Sequence, residues 1–308
     1  MLTLRQHVST CMFSAFYGIF KNLIFMTKKL HKWHIAGLFN TDGGFSLHFE
    51  ENKQSKFKYR IMPVVSLTQH KNSKNVLQLV KLYFNCGEVV KQNQDCFQFK
   101  IKSRKIILEK IIPFFTKYKL IGFKSTQYAI WKTLILLMQE KFHLCIQGFY
   151  IFTSIILLIN RFPSRKIKLE NILISHEKKY GNCKVIYSEK LKSLIYLFLL
   201  TQDYNKQMKK LNNFFVAGLI DGDGGFSLSF FKTKTIKPSF YFSQESKNIF
   251  LFILLQNFFN GGKIYNIGFS YHFFVISDRK TIIENVIPFF EKYSLHTEKK
   301  IILRFLNA

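Results

Sequence analysis

WHIAGLFNTDGGFSLHF, residues Trp33 to Phe49, and FFVAGLIDGDGGFSLSF, residues Phe214 to Phe230, align without a gap at a constant offset of 181 and share the unbroken run Asp-Gly-Gly-Phe-Ser-Leu. The correspondence continues downstream at an offset of 175: Gln69 with Gln244, Arg104-Lys105 with Arg279-Lys280, Pro113-Phe114-Phe115 with Pro288-Phe289-Phe290, and Lys124 with Lys299. Two whole domains are therefore duplicated in one chain, because a motif shared by accident would not be followed by a second constant offset running from Gln69 to Lys124. The six-residue drop in offset falls between the motif and the glutamine, which predicts a shorter loop in the first hairpin of the second repeat.

Each copy of the motif reads as a helix ending at Asp-Gly-Gly, with the glycine pair as the stop before an extended run. Phe45, Leu47 and Phe49 alternate with Ser46 and His48, as Phe226, Leu228 and Phe230 alternate with Ser227 and Ser229, which is the period of a half-buried strand. Further alternation over residues 64–69, 96–102, 241–244 and 271–276 predicts more strands, and residues 105–115 and 281–290 read as helices. The fold class is α+β, one sheet per repeat. Ala36-Gly37 and Ala217-Gly218 stand at equivalent places in a chain with only five alanines, so small residues are kept where the two motif helices would approach each other. That packing would bring Asp42 and Asp223 together near a pseudo-two-fold axis. An Asp-Gly pair alone is an ordinary turn; its repetition in an identical context points to a shared role.

Composition sets the partner class. There are 46 Lys and Arg against 18 Asp and Glu, a net charge of +28, in a chain that is 48% apolar and 17% aromatic. Such a field repels itself unless a polyanion neutralises it, and the apolar content is too high for a disordered basic tail, so a folded nucleic-acid binder is expected. The basic residues are spread along the chain instead of flanking one amphipathic anchor, which argues against a membrane-surface protein. Cys11, Cys86, Cys96, Cys145 and Cys183 form no C-x-x-C pair, so neither a zinc site nor a disulfide scaffold is expected. The apolar stretch 145–159 contains Gln147, Thr153 and Ser154 and reads as a buried helix, not a membrane span. No Walker-type or dinucleotide loop is present.

The strings AGLFNTDGG and AGLIDGDGG resemble the two motifs of the LAGLIDADG homing endonucleases, and the likeness extends from about Lys32 to Lys300. The resemblance implies two pseudo-symmetric αββαββα repeats packed through the motif helices, laying a saddle of strands along double-stranded DNA. It implies a site-specific double-strand DNA endonuclease, intron-encoded, whose second motif aspartates, Asp42 and Asp223, are catalytic and hold a divalent metal, Mg²⁺ or Mn²⁺, at each scissile phosphate. Carboxylate-held Mg²⁺ suits phosphodiester hydrolysis, which needs an activated water, neutralised phosphate charge and a stabilised leaving oxygen. By the same resemblance Lys124 and Lys299 fall at a basic active-site position, where a lysine stabilises charge on the phosphate, and Gln69 and Gln244 fall near the metal-bound waters. Ser46, His48, Arg60, His70, Gln98, Lys100 and Lys102 in the first repeat, and Ser227, Ser229, Lys232 and Lys234 in the second, are the expected groove or backbone contacts. One departure stands out: Asn40 occupies the place of the first motif aspartate, which the second repeat keeps as Asp221.

The reading divides the chain into an N-terminal extension or leader (1–30), repeat 1 (31–160), a basic linker (161–210) with a helix near residues 188–200, and repeat 2 (211–308). No acidic residue precedes Asp42, and residues 1–29 mix Arg5, Lys21 and Lys28 with Ser, Thr and large apolar residues, as organellar transit sequences do. A mitochondrial or chloroplast setting is expected, also because Phe, Ile, Lys and Asn dominate as in an AT-rich gene. The second repeat stops at Ala308 and is expected to lack the closing helix of the first. Two repeats in one chain predict a monomer. The alternative from another class is an RNA maturase, binding its host intron RNA with the same fold.

Overall fold

The computed structural model describes residues 29–159, 163–181, 210–230, 236–268 and 270–307. Repeat 1 runs α1 (Lys32–Thr41), β1 (Gly43–Glu51), β2 (Tyr59–His70), α2 (Lys74–Phe84), β3 (Glu88–Lys91), β4 (Cys96–Ile101), a helical stretch α3 (Arg104–Ile106, Ile107–Ile111 and Ile112–Lys117), then α4 (Gly122–Gln139) and α5 (Ile146–Ile159). Helix α6 (Pro163–Tyr180) follows. Repeat 2 runs α7 (Asn213–Asp223), β5 (Gly224–Phe230), β6 (Ile236–Glu245), α8 (Ile249–Phe259), β7 (Lys263–Ile267), β8 (Tyr271–Ile276), α9 (Arg279–Thr281, Ile282–Val286 and Ile287–Lys292) and α10 (Lys299–Asn307). Each repeat holds one antiparallel four-stranded sheet, in the order β1-β2-β4-β3 and β5-β6-β8-β7. This is the expected αββαββα plan.

Local rules account for the elements. Val76, Leu77, Leu79, Val80 and Phe84 form the buried stripe of α2 at helical spacing. Both α2 and α8 end on an asparagine in the left-handed region, Asn85 (φ 47°) and Asn260 (φ 50°), the conformation that closes many helices and that asparagine tolerates. In α3 and α9 a π-helical turn, Ile107–Ile111 or Ile282–Val286, precedes the proline near the start of the next turn. Proline has no N–H to donate, and the widened turn accommodates that loss without ending the helix.

One face of each sheet carries phenylalanine. Phe45, Leu47 and Phe49 pair across to Val65, Pro63 and Ile61, while Phe226 faces Phe240 and Phe242 faces Phe274 in the second sheet. These side chains are buried with Phe39, Phe115 and Trp131 in one half and with Phe252, Phe259 and Phe290 in the other. At about 1.5–3 kcal/mol for each fully buried aromatic or aliphatic side chain, this layer is the main source of stability in both halves. Among the described residues no helix is long and apolar enough to cross a membrane. The apolar stretch at 145–159 is the packed helix α5, where Phe149, Tyr150 and Phe152 are buried.

Three expectations change. The missing six residues of the second repeat are not confined to a loop: β1 and β2 have 9 and 12 residues, β5 and β6 have 7 and 10, so the whole hairpin is shorter. Repeat 2 does possess a closing helix, α10, short but at the position of α4, with Leu303 buried. The stretch expected to cross between the halves begins as α6, whose Leu169 and Ile172 are buried and whose His176 stacks on Phe149 of α5. The expected helix near 188–200 and the leader lie outside the described residues.

Candidate active site at the ends of the motif helices

Helices α1 and α7 pack directly on each other, and glycine sets how closely. A β-carbon on Gly37 would overlap the Phe215 carbonyl and lie 2.8 Å from the Leu219 nitrogen; one on Gly218 would overlap the His34 carbonyl and lie 3.0 Å from the Gly37 α-carbon. Ala36 and Ala217 are fully buried beside them. Aromatic contacts fix the start of the pair: His31 stacks on Phe214 at 3.8 Å, and Trp33 meets Phe215 edge-on. The glycines after each aspartate answer a second close approach. Their backbone is not left-handed; Gly224 is extended (φ −91°, ψ 178°). Strand and helix instead separate so sharply that a β-carbon on Gly43 would sit 2.7 Å from the Phe39 α-carbon.

At the far end of the pair the two aspartates converge. A β-carbon on Gly222 of α7 would lie 3.1 Å from Asp42 Oδ2 of α1. Sheet register brings each glutamine to its own acid. Gly43 opposes Leu67 and Gly224 opposes Phe242, so β2 and β6 run on past the helix end. Gln69 Nε2 donates to Asp42 Oδ2 at 2.6 Å, and Gln244 Nε2 donates to Asp223 Oδ2 at 2.6 Å. Burial, followed by the charge of Asp223, pushes Asp42 from 3.8 up to about 7, against the pull of Lys299, Lys124 and the Gln69 hydrogen bond. Burial also raises Asp223, opposed by Gln244 and the two lysines. Two acids held close in a poorly solvated place resist ionising together.

Lys124 and Lys299 lie between these acids and the helix ends. Lys124 Nζ donates to the Gly43 carbonyl at 2.6 Å. Lys299 Nζ donates to the carbonyls of Ile220 (3.0 Å), Asp221 (2.9 Å) and Gly222, and burial lowers its pKa against the pull of Asp221, Asp42 and Asp223. All three of its protons are thus engaged in closing α7, and its charge reaches the acids through space.

The first motif positions are not equivalent. Asp221 is fully buried and accepts from His34 Nε2 (2.7 Å), the His296 N–H (2.8 Å), the Thr297 N–H (3.0 Å) and the Thr297 hydroxyl (2.5 Å). Burial raises its pKa, but the His34 hydrogen bond and charge, with the other donors, hold it below the ordinary carboxylate range. Across the interface the counterpart of His34 is Phe215 and the counterpart of Asp221 is Asn40. Asn40 accepts from the Ile121 N–H at 2.7 Å, and its Nδ2 has no partner. The asparagine at 40 therefore matches a counterpart, Phe215, that has no side-chain hydrogen bond to offer. A further inter-repeat chain supports only one acid: Asn248 accepts from the Phe123 N–H (2.8 Å) and donates to Gln244 Oε1 (2.6 Å). Its counterpart Ser73 accepts from the Glu298 N–H. His34, Asn248 and Thr297 went unmarked in the sequence because each lies where the two copies differ.

The expected groove residues fall mainly on the sheet faces turned away from the phenylalanine layers. Ser46, His48 and Arg60 alternate with core positions along β1 and β2. Lys100 and Gln98 stand opposite Ser66 and Thr68, Gln98 donating to the Thr68 hydroxyl, and Lys102 is exposed just beyond β4. Ser227 bonds Ser239 at 2.7 Å, and Ser229 is exposed opposite Lys237. His70 is engaged otherwise: it caps the turn at Asn72 and lies 3.9 Å from Glu298 of the other repeat. Lys232 and Lys234 lie outside the described residues.

This duplicated arrangement has known counterparts. A probable intron-encoded DNA endonuclease of Mycosarcoma maydis is 25% identical over 275 residues, spanning 87% of this chain and 95% of the relative. A probable intron-encoded endonuclease of Neurospora crassa is 23% identical over 87% of this chain, which spans about half (48%) of that longer protein. In structure, the chain is similar to meganuclease I-SmaMI bound to uncleaveable DNA (TM-score 0.73, 21% identity, 91% of this chain and 88% of that one). It is also similar to I-GzeII in complex with a DNA target (TM-score 0.72, 23% identity, 91% and 89%). The family model described as LAGLIDADG endonuclease matches residues 35–135 and 216–306, each segment holding most of one motif helix, its acid and its glutamine. With both repeats matched over most of their length, the chain belongs to the LAGLIDADG endonuclease family.

Proposed function

We propose that this chain is a site-specific double-strand DNA endonuclease of the homing type, cutting one phosphodiester bond on each strand with one aspartate assigned to each. The observation that carries this is the convergence of Asp42 and Asp223, each tied to its own glutamine at the end of one of two packed helices. Two acids in one chain suit a monomer that reads an asymmetric target. The net charge of +28 supplies the attraction to phosphate.

The donor set fits a hard divalent cation. Among the described residues no group of three His, Cys, Asp or Glu gathers, and two carboxylates, hard oxygen donors without His or Cys beside them, suit Mg²⁺ or Mn²⁺ better than zinc. Burial raises both acids, with the charge of Asp223 adding to it at Asp42, and a dication would favour their ionised forms. When bound, such an ion supplies Lewis acidity at the phosphate and a water made more acidic. The chain's own residues do the rest. Asp42 and Asp223 hold the position, Gln69 and Gln244 fix the carboxylate rotamers, and Lys124 and Lys299 contribute positive charge where the pentavalent phosphate becomes more negative. An intron-borne, organellar origin is part of the proposal, supported by the intron-encoded fungal relatives and the Phe-, Ile-, Lys- and Asn-rich sequence.

The test is incubation with a duplex library of randomised sequence, with Mg²⁺ or with EDTA. Recovery of one recurrent target, cut on both strands only with the metal, is expected. Tight binding of the host intron RNA without scission of any duplex would favour the maturase.

A further inference from the structure

The two sheets present different chemistry on the faces turned away from their cores. In repeat 1 Thr68 stands nearest the acid on this face of β2, its N–H bonding the Asp42 carbonyl, and Ser243 takes its place in repeat 2; next to Thr68 on β2 and β4 come Ser66, Gln98 and Lys100. The counterparts of Ser66, Gln98 and Lys100 at the offset of 175 are Tyr241, Phe273 and Val275, joined across the sheet by Tyr265, which pairs with Phe273. Tyr241 and Phe273 stack at 5.3 Å with their planes 16° apart. Tyr265 is 50% exposed and Tyr271, the next residue on that face of β8, is 52% exposed. Tyr241 faces Gly225, two residues beyond Asp223, and its ring occupies the space a side chain there would need. The aromatic patch thus begins beside the candidate scissile position. Lys237 and Lys263 share this face, with Glu245 opposite Tyr271 at its far end, so it is an apolar strip with two cations and one acid along its edges, matched to a polyanion with an apolar feature within it.

Resting on the DNA-cleavage reading, we infer that repeat 2 recognises its half-site through thymine 5-methyl groups, on the base pairs nearest the Asp223 cut, while repeat 1 reads its half by hydrogen bonds. Base edges in the major groove present donors and acceptors at every pair, and the thymine methyl is the apolar group among them. Rings laid over a G·C pair would strip its polar edge of water and return no hydrogen bond. The same rings over a thymine bury methyl surface instead. The first sheet, with Gln98, Lys100 and Arg60, has the opposite preference.

The experiment replaces thymine by deoxyuridine in one half of the selected target at a time, since uracil keeps every hydrogen-bonding group and lacks only the methyl. Binding of the full chain to the half under repeat 2 is expected to weaken about fourfold per methyl removed, the worth of one buried methyl group, and binding at the other half to stay unchanged. In the Tyr241→Ser, Phe273→Gln double variant, which carries the repeat 1 residues, the deoxyuridine penalty disappears; a melting curve confirms that the variant is folded. Equal penalties in both halves, or a penalty that survives in the folded variant, overturns the inference and leaves the endonuclease reading intact. If the wild type cuts no duplex at all, both fall.

Discussion

The exchange of His34 and Asp221 for Phe215 and Asn40 across one interface is a coupled substitution. A buried carboxylate that loses one of its hydrogen-bond partners costs about 1–3 kcal/mol. For His34→Ala the loss is expected near the lower end, because Thr297 and two N–H groups still bind Asp221. Asn40→Asp alone should destabilise, and adding Phe215→His should recover part of the loss, with a coupling on the order of 0.5–3 kcal/mol in a double-mutant cycle of denaturant unfolding. Strictly additive effects would show that the two positions do not communicate. The acids give a second test. Asp42 titrates near 7 in the folded chain against an ordinary 3.8, so between those values the folded state binds more protons than the unfolded one. Its contribution to stability is therefore present at low pH and lost as pH rises through about 7. In EDTA, melting of the wild type should fall relative to Asp42→Asn between pH 5.5 and 7.5, by about 1–3 kcal/mol. Parallel pH profiles would refute the assignment. Asp42, Asp223 and the glutamines were legible because duplication marked them. His34, Asn248 and Thr297 were not, since a comparison of repeats is blind where the repeats diverge, and the interface needs divergence to pair unlike partners.

At the scale of elements, the motif helices were readable as helices from their small residues and strand-like sequel, but the reason for the glycines was not. A Gly-Gly pair after a helix suggests a left-handed cap; here it serves close approach, with β-carbons excluded by Phe39 and Ile220. The same holds for the π turns before Pro113 and Pro288, whose widened hydrogen bonding no periodicity reveals. Gly218→Ala should force α1 and α7 apart, costing about 1–3 kcal/mol as overpacking does. It should also slow cleavage, because the acids are held by that packing. A variant with wild-type melting and wild-type cutting would show that the close helix crossing is not what sets the site.

For the whole molecule, duplication explains the architecture, and asymmetry between the copies explains what duplication cannot. Repeat 1 is backed by α4, α5 and α6, repeat 2 by the short α10. One sheet face is charged and the other aromatic. The succession of helices and strands followed from the repeat and the family resemblance, whereas the strand order, the shortened hairpin and the packed α6 depended on tertiary contacts that alternation patterns do not encode. The central claim is that two pseudo-equivalent acids in one chain cut two strands. Its most direct measurement is strand-resolved cleavage of the selected target with Mg²⁺ by wild type, Asp42→Asn, Asp223→Asn and the double variant, each checked for folding by melting. The wild type is expected to break both strands, each single variant to lose the double-strand break and leave at most a nick, and the double variant to bind without cutting. A folded double variant that still linearises the target would contradict the account.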